Sequence, residues 1–179
     1  MNGFQNTLLV LAALALVSSA TQPCFAGSES ASLQVDSAAA FELLTQLHGD
    51  WQGTVETKQG AAANVVYRLT ANRKTVMETL FPGTDDEMIS MYHMDGNDLV
   101  MTHYCAMGNQ PRMKLASAKG GQLVFDFAGG SNLDAKKDVH IHSGTITFIN
   151  SNELEAEWKV FQGEKPIGAN RFFLTRLKN

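Results

Sequence analysis

The chain has 179 residues, 44% of them hydrophobic and 18% charged, which is enough for one domain with a packed core. That balance excludes a disordered or fibrous protein. A formal net charge of −4, with no basic cluster, argues against nucleic acid as a partner.

Residues 8–17 form an unbroken apolar run, too short to span a bilayer comfortably. Small residues follow, and then Cys24, Phe25 and Ala26, which fit a signal-peptidase site. We expect residues 1–26 to be a signal peptide, residues 27–35 a flexible mature N-terminus and residues 36–179 a β-barrel domain. The expected destination is periplasmic or extracellular, with no transmembrane segment after cleavage. Two alternatives stand beside this. A buried helix would want a polar face, which the run lacks; a lipid anchor on Cys24 would follow Thr21, Gln22 and Pro23, a poor lead for lipoprotein cleavage. Cleavage leaves Cys105 as the remaining cysteine, so a disulfide framework is excluded even in an oxidising compartment.

Residues 36–47 place Ala39, Leu43 and Leu47 at helical spacing behind Asp36 and Ser37, which suit an N-cap. One short helix is expected there, closed by His48 and Gly49. After Asp50 the pattern turns to period two. Trp51, Gly53 and Val55 alternate with polar neighbours, as do Leu154, Ala156, Trp158 and Val160 with Glu155, Glu157 and Lys159. Val65, Tyr67 and Leu69, and later Leu123, Phe125 and Phe127, form similar faces. Turn residues punctuate the segments: Asn72 to Lys74, Asp95 to Asn97, Lys119 to Gly121, Asn150 to Asn152 and Gln162 to Glu164. The fold class expected is all-β, an antiparallel meander of about ten strands closed into a barrel, since closure removes exposed edges. Pro82, Pro111 and Pro166 fall in expected loops or at strand ends, where no ladder bond is lost.

A helix leading into Gly49, Asp50 and Trp51, then hairpins, then a last strand bearing Arg171 and Arg176, resembles the calycin superfamily, which includes lipocalins, fatty-acid-binding proteins and nitrobindin-like haem barrels. The likeness spans residues 41–178, although the second lipocalin motif, T-D-Y, is absent. It implies a barrel in which the G-x-W tryptophan packs under the closed end against a late-strand arginine. His103, Tyr104 and Cys105, followed by the segment from Gly108 to Met113, also resemble uncharacterised bacterial exported proteins of this kind.

Several residues carry candidate chemistry. In a strand expected over residues 99–107, the odd positions are the more apolar, so His103 and Cys105 are expected to face inward. With His140 and His142 on another strand they make a candidate metal set: His103, Cys105, His140 and His142. The alternative is that a bulge near Gly144 turns His140 and His142 to solvent. Cys105 is expected to be buried and inert. The candidate ligand-binding set is Met101, His103, Phe125, Phe127 and Trp158 around an apolar interior rich in methionine, with Glu78 and Arg112 as polar anchors. Glu78 could instead face solvent, and Arg112, which alternates outward with Lys114, could belong to a surface hairpin. No nucleophile elbow, zinc-protease motif or phosphate-cradling loop is present.

The function expected is an exported barrel holding a small apolar molecule such as a lipid, with no catalytic residue identified. The alternative is a metal- or haem-binding barrel with redox or isomerase-like activity at the histidine and cysteine cluster. A third is a barrel with a filled interior serving as an interaction module.

Overall fold

The computed structural model describes residues 36–56 and 61–178. The expected signal peptide and mature N-terminus lie outside the described residues. Among the described residues no helix is long and apolar enough to cross a membrane.

Among the described residues one helix, α1 (Ser37–Thr45), precedes ten strands. Asp36 caps it, its carboxylate accepting from Ala39 N at 2.9 Å. The strands follow in chain order: β1 (Gly49–Glu56), β2 (Ala61–Thr70), β3 (Thr75–Leu80), β4 (Met88–Asp95), β5 (Asp98–Tyr104), β6 (Gln110–Lys119), β7 (Gln122–Ser131), β8 (Val139–Asn150), β9 (Glu153–Gln162) and β10 (Lys165–Arg176). Each pairs antiparallel with its sequence neighbour, and β1 pairs with β10, so the meander closes. The expected turns are found between the strands, with Gly96, Gly120, Gly121 and Gly163 at positive φ. Gly129 and Gly130 lie among the last residues of β7.

The two ends of the barrel are built differently. At the end where β1 begins and β10 finishes, Trp51 lies against Tyr67 edge to face at 6.3 Å and donates from its indole to Leu47 O at 2.8 Å. The Arg176 guanidinium sits 4.3 Å from the Trp51 ring and donates to Gln46 O and His48 O, both at 2.7 Å, and to Ser151 O at 3.0 Å. A cation there answers the unpaired carbonyls at the end of α1. The arginine under the tryptophan is therefore Arg176; Arg171 points outward to Glu157. Gly49 does not end the helix. It opens β1, and a Cβ on it would come within 2.8 Å of Arg176 Nη1.

Above this plug the interior is filled. Leu99, Met101, Met113, Leu123, Phe125, Ile146 and Leu154 are all fully buried. Phe125 packs edge to face on Tyr92 at 5.8 Å.

Candidate functional site

The opposite end, where β3, β5, β7 and β9 finish, is hollow. A cavity of about 230 Å³ is walled by Leu80, Met88, Ile141, Trp158, Val160 and Phe172, with His103, His140 and Asn170 as polar members and Cys105, Ala106 and Met107 at the β5–β6 turn. Its surface is overwhelmingly apolar. A wider depression of about 410 Å³ lies outside, among Thr145, Thr147, Glu155, Glu157 and Arg171. Its walls are polar and open, so it lacks the enclosure that desolvates a ligand.

The turn beside the cavity is held by side-chain amides. Asn109 donates from Nδ2 to Val139 O at 2.8 Å and Asn132 donates to Gly108 O at 2.8 Å, while Cys105 N bonds Asn109 O at 3.1 Å. This is the structural work of the segment after Cys105. The strand expected over residues 99–107 stops at Tyr104, so Cys105 is a half-buried turn residue rather than a core thiol, and Met107 is exposed.

Beneath the cavity lies a buried polar cluster. Glu78 is 1% exposed and accepts from the Tyr67 hydroxyl at 2.7 Å and the Tyr92 hydroxyl at 2.9 Å. Ser90 lies directly across the β3–β4 ladder, where its hydroxyl also favours the charged carboxylate. Burial pushes the Glu78 carboxyl up, against the three hydroxyls that pull it down. Burial and the neighbouring carboxylate push both tyrosines well above their ordinary range. Glu78 is thus neither solvent-exposed nor in the cavity wall. It is satisfied by core hydroxyls from other strands; of these only Tyr67 stood on a face already legible as apolar in the sequence.

Ser90 Oγ also lies 3.0 Å from His103 Nδ1. Burial holds the His103 imidazole down to about 4, so it is neutral.

The other histidines follow a bulge. The β8–β9 register shifts between Ile141 and Ser143, which explains apolar residues on both parities of β8. The shift does not sit at Gly144, which is glycine because a Cβ there would overlap the Trp158 ring. Nor does it send His140 to solvent: His140 is 1% exposed. Its Nδ1 meets Asp138 O at 3.0 Å and must carry the proton, so Nε2 accepts from His142 Nδ1 at 3.1 Å. His142 stacks between Phe127 at 4.9 Å and Phe161 at 4.1 Å, and burial, with His140 beside it, lowers its pKa.

Of the expected metal set, then, His103, Cys105 and His140 share the cavity wall while His142 lies behind it. Among the described residues no group of three or more His, Cys, Asp or Glu is arranged to hold a metal ion. Both His140 nitrogens are already engaged within the protein, so an axial haem ligand or a metal ligand there does not fit this arrangement.

Of the expected ligand set, His103 and Trp158 line the cavity. Met101 and Phe125 are filled core, and Phe127 packs on the histidines. Arg112 points out from β6 with its guanidinium 3.5 Å from Asp95, half exposed, and is no anchor at the mouth. Leu80, Met88, Ile141, Val160, Asn170 and Phe172 were missed, because wall residues become distinct from core residues only once the barrel closes.

Among solved structures the chain is similar to a protein of unknown function from the DUF3598 family of Nostoc punctiforme, at 11% identity and a TM-score of 0.51. The match covers 75% of this chain and 48% of that one, so the chain spans about half the length of that protein. It is also similar to Rv2717c from M. tuberculosis, at 14% identity and a TM-score of 0.47 over 78% of this chain and 98% of that one. The likeness to the first of these is one of fold alone. No family model matches the sequence, and no curated protein matches it.

Proposed function

We propose that this is an exported, lipocalin-like binding protein that holds a small, largely apolar molecule in the open end of its barrel. The observation that carries the reading is the 230 Å³ apolar cavity facing away from the plugged end. An apolar void of about 150 Å³ takes up benzene, whereas drug-sized sites run from roughly 300 Å³ upward. The occupant is therefore a fragment-sized molecule or the end of a longer one that projects from the mouth. Met88 and Met107 at the rim suit a changing apolar partner. The leader over residues 1–26 accounts for export.

Native mass spectrometry of the full chain purified from its own secretion route tests the reading, together with uptake of toluene and phenol followed by Trp158 fluorescence. Val160→Phe fills the cavity and should weaken uptake at least tenfold while circular dichroism still reports a folded barrel. A bare protein mass together with no uptake of either probe by the folded protein would overturn the proposal.

A further inference from the structure

The polar members of the cavity wall specify more than an apolar occupant. Trp158 is buried and its indole N–H has no partner among the described residues, an uncompensated donor inside the wall. His103 is the second. Its Nδ1 is engaged by Ser90, and its Nε2 has no protein partner among the described residues.

The proton on His103 is placed by the cluster beneath it. Tyr67 and Tyr92 each spend their hydroxyl hydrogen on a different Glu78 oxygen. Ser90 lies across the ladder from Glu78 on one side and from His103 on the other, and it has one hydrogen to give. With that hydrogen turned into the Glu78–Tyr92 cluster, Ser90 Oγ is left to accept from His103 Nδ1–H. The cavity edge of the ring is then a bare Nε2 lone pair, a hydrogen-bond acceptor in an apolar surround.

We propose that the ligand is an uncharged alcohol or phenol: its hydroxyl donates to His103 Nε2, and an oxygen accepts from the Trp158 indole N–H. A hydrocarbon leaves both wall groups unpaired. A ketone or ether satisfies Trp158 and leaves His103 facing a second acceptor. A carboxylate brings a charge into an apolar cavity with no cation in its wall. A site built around a hydroxyl rejects the analogue lacking it far more strongly than a purely apolar pocket rejects a change of size.

The inference rests on the binding reading above, and the experiment separates the two. Phenol, anisole, toluene and benzoate are titrated into the full-length mature chain. Phenol should bind at least tenfold more tightly than anisole or toluene, and benzoate should not bind. In Glu78→Gln the side-chain amide donates, Ser90 is freed to donate to Nδ1, and His103 carries its proton on Nε2. Phenol's advantage over anisole should then fall below about threefold. Nitrogen-15 correlation spectra of unliganded wild type should show the His103 Nε2 unprotonated, a readout independent of whether the variant folds. Equal binding of phenol, anisole and toluene, or an Nε2–H signal in wild type, overturns the hydroxyl assignment and leaves the apolar cavity standing. No binding of any probe overturns both.

Discussion

The two ends of this barrel use similar residue types to opposite ends. At the plugged end an indole and a guanidinium lie against each other, and every donor nitrogen they offer is engaged: Trp51 by Leu47 O, Arg176 by three backbone carbonyls. At the open end an indole and an imidazole lie in a cavity wall with Trp158 Nε1 unanswered. Satisfied polar groups close a structure and resist opening; unsatisfied ones in an apolar hollow are complementary to something else. The contrast places stability at one end and, under the proposed function, recognition at the other, and it can be broken experimentally.

The largest expected effect is at the plug. Trp51→Ala removes a fully buried indole, its bond to Leu47 O and the seat of Arg176, and should cost about 3–5 kcal/mol in urea unfolding. A loss below about 1 kcal/mol would mean the plug is not what holds the barrel shut.

Next is the response to acid. His103 stays neutral in the fold down to about pH 4, while in the unfolded chain it takes a proton near 6.5. Its contribution to stability is therefore whole above about pH 6.5. It falls by up to about 1.4 kcal/mol per pH unit between about 6.5 and 4. Glu78, with its pKa raised, has the opposite sign: its contribution is present below its unfolded value and lost as pH rises through the folded one. Urea midpoints measured from pH 7 to pH 4 should fall in the wild type and fall less steeply in His103→Gln. Identical slopes would show that the ring is charged in the fold.

The smallest effect separates wall from surface. Arg112→Ala should change stability by less than about 0.5 kcal/mol and leave phenol uptake unaltered, because the Asp95 pair is long and exposed. A tenfold loss of uptake would put the binding site outside the cavity described above.

Which residues could be placed from the sequence follows from how far each depends on its neighbours. The faces of β1, β2, β7 and β9 were legible because alternation needs only the strand itself: Trp51 and Val55, Val65 and Tyr67, Leu123 and Phe125, and Leu154, Ala156 and Trp158 point inward as expected. His140 was not legible, because the β8 bulge shifts the register without leaving a turn residue to mark it. Cys105 was misread because β5 ends one residue earlier, where the chain turns to bond Asn109 O. Glu78 was seen as a candidate inward residue, but its partners come from two other strands.

The sequence by itself determined the strand period, the turns, the short helix before the barrel and the tryptophan that begins it, since these are properties of a few neighbouring residues. Only the tertiary structure decided where the interior is filled and where it is hollow. That depends on the summed volumes that ten strands bring to each level of the barrel, and Met101 and Trp158, alike in the sequence as inward apolar residues, part company there into core and cavity wall.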